Sequence, residues 1–391
     1  MDPLKTDCRH FRPDRPCAPH KEHGVVCATC TEFYDPITTR ILVVKLAAVG
    51  DVLRTTCLLP GIRRRWQHAH VTWITSPAAA SLFRGNTLVD RVLAFDGSVP
   101  LELLTEQFDV VINPDAAADA CALAQLARGA QRVGFNVDAR GTPLPLSAAA
   151  ERWLEMGVRD DKKKANRLTY QEHMAAIMGV EWRREPPIFE LFEDDLVAGR
   201  RLRARHAPPP GGVVVGLNTG AGGRWRFKRW TEKGYEQLVA RLHQDHQRVF
   251  LLGGPEEVER NTRLAAGGGG AAVDTGCDNS LRQFAGIVDQ CDVVVTGDTL
   301  AMHVAIARGK RVVVLFGPTS LHEIEVFGRG ERLAPDLDCL VCYKSDCDFV
   351  PNCMESLDVD TVHAAVRRQI EALRDGAPAG AVRGGGRVPG S

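Results

Sequence analysis

An apolar run that passes through a small-residue turn to an acid, Ile41-Leu-Val-Val-Lys45-Leu-Ala-Ala-Val-Gly50-Asp51-Val, places a carboxylate where a strand hands over to a helix. A junction of the same kind, Val293-Val-Val-Thr296-Gly297-Asp298-Thr299-Leu-Ala-Met302-His303, recurs later in the chain. The first N–H groups of a helix have no intrahelical partner, so an acid at such a junction either caps the helix or stands at the mouth of a ligand cleft. A third stretch, Asn218-Thr219-Gly220-Ala-Gly222-Gly223-Arg-Trp225-Arg226-Phe-Lys228, puts glycines directly after the strand-like Val213–Leu217. Glycine lets backbone N–H groups approach a phosphate, and Lys228 brings the charge to neutralise it. The competing reading is a flexible surface loop that happens to carry cations. Neither the dinucleotide-binding Gly-x-Gly-x-x-Gly spacing nor a Gly-Lys-Ser/Thr phosphate loop is present in it.

The N–H groups of Thr299, Leu300 and Ala301 form a second anion cradle in the same half of the chain. Two phosphate cradles at the carboxyl edge of one parallel sheet point to a nucleoside diphosphate. Asp51 belongs to the other half and is the carboxylate available to remove a proton from an acceptor hydroxyl; aspartate is ordinarily ionised at neutral pH. One carboxylate suffices for a single inverting displacement, whereas a hydrolase of the usual pattern wants two flanking the scissile bond. The pairs Asp336/Asp338, Asp346/Asp348 and Asp358/Asp360 suggest a divalent ion by their spacing, but they lie with the cysteine segment or at a helix cap. Leaving-group stabilisation by Lys228 and helix N-termini needs no metal.

Cysteine is the unusual component. Cys8, Cys17, Cys27 and Cys30 are interleaved with His10, His20 and His23, and Cys339, Cys342, Cys347 and Cys353 form a second group. Each group offers enough soft ligands for a closed tetrahedral zinc or iron site of structural type, with unliganded thiols as the alternative. Cys57, Cys121, Cys277 and Cys291 lie in apolar patterns and read as core. With twelve cysteines in a large chain and no apolar segment of signal-peptide type near residues 1–35, a reducing cytoplasm is expected.

These residues need elements to hold them. Strand-like runs at Ile41–Lys45, Val71–Thr75, Arg91–Phe95 and Val110–Asn113 alternate with helical patterns at Val52–Trp66 and Ala116–Leu126. Alternation resumes with Val213–Leu217, Arg248–Leu252, Val293–Thr296 and Arg311–Phe316, between helices near Lys233–Asp245, Pro255–Ala266 and Leu281–Asp289. Continuous β-branched strands separated by helices describe parallel sheets covered on both faces. The expected organisation is a Cys/His-rich arm over 1–38, a first Rossmann-like domain over 39–195, and a linker over 196–212. A nucleotide-binding domain over 213–356 with the cysteine segment 339–353 follows, then a helix over 357–375 and a tail over 376–391. The 391 residues and 44% hydrophobic content supply a core for each domain. Equal numbers of basic and acidic residues, 49 each, remove the long-range attraction that a nucleic-acid partner requires.

Together Lys45…Gly50-Asp51-Val, Asn218-Thr-Gly-Ala-Gly…Lys228-Arg-Trp, Gly297-Asp298-Thr299…Met302-His303 and Phe316-Gly-Pro318-Thr319 resemble glycosyltransferase family 9, the ADP-heptose:lipopolysaccharide heptosyltransferase group. The resemblance covers roughly residues 40–375. It implies a GT-B fold, α/β with two facing Rossmann-like doubly wound domains and a C-terminal helix returning toward the first, and metal-independent inverting transfer with Asp51 as general base. It further implies that Thr219, Gly220 and Lys228 hold the diphosphate and that Asp298, Thr299, Met302 and His303 line the donor site. Glu256 or Glu257 would contact the ribose. An acidic lipopolysaccharide inner-core acceptor would meet Arg54, Arg63 and Arg64, or Arg132 and Arg140; a solvated helix face is the other reading of these arginines. A subgroup that modifies autotransporter proteins is similar in using cysteines to bind iron, so the alternatives to lipopolysaccharide transfer are a protein heptosyltransferase and, from the clustered cysteines, a metal-dependent redox or sensor protein with a nucleotide-binding body. The expected partners are therefore ADP-heptose, a lipopolysaccharide core acceptor and, at most peripherally, the inner membrane.

Overall fold

Two six-stranded sheets with one strand order organise the chain. The computed structural model describes residues 4–376. The first unit runs to Glu155 and takes in Glu172–Glu185, and the second comprises Met156–Gln171 and the described chain from Pro186 onward.

The first sheet contains β1 (Thr39–Val44), β2 (Ala69–Thr75), β3 (Arg91–Ala94), β4 (Gln107–Asn113), β5 (Arg128–Val137) and β6 (Pro143–Pro145). Its order is β3-β2-β1-β4-β5-β6, parallel except for β6. Ile41, Leu42, Val43 and Val44 are all fully buried, which is why this strand is a continuous apolar run rather than an alternating one. The second sheet contains β7 (Val214–Asn218), β8 (Arg248–Leu252), β9 (Ala272–Asp274), β10 (Val293–Gly297), β11 (Arg311–Leu315) and β12 (Gly330–Leu333), in the order β12-β11-β10-β7-β8-β9. In both sheets the order reverses beside the first strand, at β1/β4 and at β7/β10. Ligands of open α/β sheets bind at that reversal, beyond the carboxyl ends of the strands.

Several expectations need correction. The single helix expected over Val52–Trp66 is three pieces, Val49–Thr55, Thr56–Leu58 and Leu59–Arg65. Pro60 removes a donor and crowds the preceding turn, so a continuous helix cannot form there. The linker expected over 196–212 is largely helix Glu193–Arg205, packed in the second unit against helix Leu281–Val288. Gly199 and Gly286 permit that approach, because a Cβ on either would collide with the facing backbone, and Asp195 pairs with Arg282 in a buried bidentate contact. The boundary placed at 195 therefore falls near 185. The expected tail lies, from residue 377, outside the described residues.

The helix Val359–Arg374 buries Val362, Ala365, Val366 and Ile370 in the core of the second unit. Their spacing forms one helical stripe, and each large aliphatic side chain contributes about 1.5–3 kcal/mol on burial. Asp358 caps the start by accepting the Thr361 N–H at 2.7 Å. The N-terminal arm is built differently: helix Ala18–His23, a bridge between Cys8 and Pro36, and turns. Among its described residues to 38, Pro19 alone is buried.

Candidate active site

At the β1/β4 reversal, Lys45 leaves the end of β1 with 5% of its surface exposed and places Nζ 2.8 Å from Asp115 Oδ2 and 3.0 Å from the Ala47 carbonyl. Asp115 follows β4, so this ion pair closes the sheet edge across the reversal. Burying the lysine charge is costly and is tolerated because it is paired with the partly buried Asp115. Asp51 lies in the first turn of helix Val49–Thr55, whose N-cap is Ala48. The carboxylate therefore does not fill the capping position that its sequence context allowed. Its Oδ1 is 2.8 Å from Arg54 Nη2, with about a third of the side chain exposed. A carboxylate held at a helix N-terminus by one guanidinium, and still solvent-accessible, is equipped to accept a proton from a bound hydroxyl.

The β7/β10 reversal carries the other candidate residues. Asn218, at the end of β7, donates through Nδ2 to the Gly220 carbonyl at 2.9 Å and to the Thr296 and Thr299 hydroxyls at 3.2 Å. One amide thus joins the glycine-rich loop to the start of helix Leu300–Ala307. Lys228 ends the short helical segment Gly223–Lys228 and places Nζ 2.9 Å from Asp298 Oδ2. Gly297 must be glycine, since a Cβ there would strike the Lys228 carbonyl. Thr299 is the N-cap of its helix and has no side-chain capping bond, which leaves the leading N–H groups available to an anion.

Thr219 is fully buried and donates to Asn261 Oδ1 at 2.6 Å, so its hydroxyl braces the loop from beneath. Arg260 donates to the Thr219 carbonyl at 2.6 Å, and burial together with the nearby Arg229 lowers its pKa below the usual guanidinium value. Glu257 is buried and accepts the Gly254 N–H at 2.9 Å through Oε2, while its Oε1 is buried with no hydrogen-bond partner. The carboxylate fills the space where a Gly220 side chain would stand. Glu256 is exposed beside Gly223. Geometry thus separates the two glutamates that sequence left equivalent: one is wedged under the loop and the other is free to turn toward solvent. Met302 is fully buried and His303 nearly so, as the third and fourth residues of helix Leu300–Ala307.

The acceptor-side arginines are dispersed. Arg63 is held by the Leu88 and Ala69 carbonyls and Asp90. Arg64 is bound to Glu185 and the Glu181 carbonyl. Arg132 donates to carbonyls at the end of helix Ala118–Leu126, including Ala127 at 2.9 Å, and Arg140 is exposed in the turn between β5 and β6. Of the five, only Arg54 is brought to Asp51. Residues that the sequence reading missed are Asp115, Asn218, Arg260 and Asn261. Asn218 stood inside the quoted motif, but no local pattern marks Asn261 as the partner of Thr219.

The thiols form two groups. Cys339, Cys342, Cys347 and Cys353 line one cavity of about 450 Å³ together with Phe227, Gly317 and Pro318. Burial pushes the Cys353 thiol up to about 11, and Cys342 and Cys347 add to the shift. Cys8, Cys17, Cys27 and Cys30 line another of about 320 Å³. Among the described residues no three His, Cys, Asp or Glu donors converge on one point as a ready coordination sphere. All cysteines are free thiols; Cys57, Cys121, Cys277 and Cys291 are buried.

The profile of glycosyltransferase family 9 (heptosyltransferase) matches residues 98–348. The chain belongs to this family. It is 24% identical over 321 residues to lipopolysaccharide heptosyltransferase 1 of Escherichia coli K12, spanning 75% of this chain and 92% of that protein. The family 9 glycosyltransferase structure from Veillonella parvula superposes with a TM-score of 0.68 at 16% identity, covering 86% of this chain and 98% of that one. The iron-containing heptosyltransferase TibC from enterotoxigenic E. coli, solved with ADP-D-β-D-heptose, matches with a TM-score of 0.55 at 11% identity, covering 86% and 77%. These similarities show a GT-B fold and a glycosyltransferase. Among the described residues no helix is long and apolar enough to cross a membrane.

Proposed function

We propose that the protein transfers heptose from ADP-heptose to a sugar hydroxyl of a lipopolysaccharide inner core, with inversion, on the cytoplasmic face of the inner membrane. The observation that carries this reading is the double cradle at β7/β10, where Asn218 and the Lys228–Asp298 pair bind the glycine-rich loop to an open helix N-terminus. That is a site for two adjacent phosphates. In the reaction the acceptor oxygen forms the new bond to the anomeric carbon while the bond from that carbon to the β-phosphate oxygen breaks. Asp51 takes the hydroxyl proton, and ADP leaves with its developing charge met by Lys228 and the N–H groups of Thr299 to Ala301. Glu256 is the ribose ligand of choice, being the exposed member of its pair. No catalytic step requires a metal.

A second reading, transfer to hydroxyls of an exported protein, is favoured by the C-terminal thiols around one cavity. In that reading Cys339, Cys342, Cys347 and Cys353 hold structural iron or zinc, in parallel with the iron-containing TibC. The deciding experiment incubates the purified chain with ADP-heptose and either truncated lipopolysaccharide or an autotransporter passenger domain. ADP release with a one-heptose mass gain on the lipid supports the first reading, and the gain on the protein supports the second. Absence of ADP release with both acceptors, and of thermal stabilisation by ADP, would defeat both.

A further inference from the structure

We propose that the N-terminal arm is a metal site of its own, in which the thiolates of Cys8, Cys17, Cys27 and Cys30 hold one divalent cation of the zinc class. The arm's described residues follow a defined path: Phe11 N–H donates to the Cys8 carbonyl at 2.9 Å, helix Ala18–His23 starts directly after Cys17, and Cys30 N–H donates to the Val26 carbonyl at 2.9 Å. Yet Pro19 is the one buried residue among positions 4–38. A segment of this size with almost no apolar burial cannot offset its own chain entropy, and short segments of that kind use disulfides or metal instead. All four cysteines are free thiols, which leaves metal.

The placement of the thiols supplies the second argument. All four line a single cavity of about 320 Å³, brought there by three local segments: a turn for Cys8, a helix start for Cys17, and one tight turn carrying both Cys27 and Cys30. Of the arm's histidines, His10 and His20 line the same cavity as the thiols, and His23 is not among its lining residues. His20 Nδ1 lies 2.9 Å from the Val25 carbonyl, and the His23 ring stacks on Phe33 with centroids 4.7 Å apart. The four thiolates by themselves make a complete tetrahedral set with no position open for water, the pattern of a structural rather than a catalytic ion. No three donors already converge, so binding closes the ring of thiols across the cavity instead of filling a finished cage. Arg9, itself in the arm, pairs with Asp35 of the arm at 2.9 Å and reaches out to Asp90 and to the Ala69 carbonyl at 2.8 Å, so a closed arm becomes a rigid attachment on the first unit.

The test uses the full chain, expressed with added zinc and purified without chelator. Elemental analysis compares the wild type with Cys27→Ser/Cys30→Ser and with Cys339→Ser/Cys342→Ser. The arm variant is expected to lose one zinc equivalent that the C-terminal variant retains, and its first 38 residues to be cleaved by trypsin at least about tenfold faster as local order is lost. Because a variant can fail to fold, wild type stripped by chelator and refilled with cobalt is measured as well; the visible absorption of a tetrahedral four-thiolate site is expected. Equal zinc in wild type and arm variant, or stripped wild type with an arm as protease-resistant as before, overturns the proposal. Iron in place of zinc that is lost with the arm thiols overturns the zinc-class assignment.

Discussion

Lys228 Nζ and Asp298 Oδ2 stand 2.9 Å apart, although 70 residues separate them in the chain. Lys228 ends the glycine-rich loop after β7, and Asp298 opens the helix after β10. Both side chains are largely buried, with 17% and 16% of their surface exposed. The pair aligns the two cradles before any ligand arrives, and it keeps the cation from folding away into solvent. Preorganisation of this kind lowers the ordering cost of binding a diphosphate.

Lys228→Ala is therefore expected to weaken ADP binding by roughly 10- to 100-fold, the range for losing a hydrogen bond to a charged group. Calorimetry with ADP measures it directly. Asp298 loses its contact with Lys228 in the same variant while staying partly buried, so a modest fall in melting temperature should accompany the loss. Unchanged ADP affinity would place the diphosphate elsewhere.

Gly220→Ala probes the loop from beneath, where the Glu257 carboxylate occupies the space of the missing side chain. The added methyl must displace either the loop or the carboxylate, and the latter also accepts the Gly254 N–H. ADP affinity should drop at least about tenfold, and Glu257→Ala in the Gly220→Ala background should recover part of it, a coupling of the kind seen between touching residues. Equal affinities for wild type and Gly220→Ala would show that the loop tolerates the displacement.

The strands that form the two sheet centres were legible because parallel strands buried on both faces are unbroken β-branched runs, as in Ile41–Val44 and Val293–Val295. β5 was not: Arg128-Gly-Ala-Gln-Arg-Val-Gly-Phe-Asn-Val has two glycines, a polar first half and only three buried positions. Pairing with β4 makes it a strand, and no local pattern reports that. Short β9 and β12 failed for the same reason. At the site, Asp51 and Asp298 could be picked out because each follows a strand at the turn into a helix, and Lys228 because it closes the glycine-rich stretch after β7. Asp115 and Asn261 are fixed by their tertiary partners, Lys45 and Thr219, and a one-dimensional reading has no access to those. The helix Glu193–Arg205 was assigned to a linker, because the Gly199–Gly286 approach that docks it is visible only in three dimensions.

Asp51→Asn should leave the fold intact, since asparagine still offers Arg54 an acceptor oxygen. Transfer from ADP-heptose is expected to fall at least about a hundredfold, the usual scale for a lost general base, while ADP affinity stays within about twofold. The split between turnover and nucleotide binding separates a base from a donor ligand. Near-normal turnover would remove Asp51 from the mechanism.

Asp90 gives a prediction about acid stability. Burial alone would raise its pKa, but the Val71 N–H and the guanidinium groups of Arg63 and Arg9 outweigh burial and hold the carboxyl below the usual aspartate value. For a carboxyl depressed on folding, the unfolded chain takes up the proton first. The resulting stability is fully present above the unfolded pKa, about 4, and is lost as pH falls through the lower folded value. Asp90→Asn should cost about 1–2 kcal/mol at pH 7, a figure kept small because the pair network still touches solvent. The same variant should flatten the decline in melting temperature below pH 4, and it should release the arm to protease, because Arg9 spans Asp90 and the Ala69 carbonyl. Melting curves of wild type and variant between pH 3 and 7 decide it: parallel curves over the whole range would show that the Asp90 carboxylate is not part of what acid takes away.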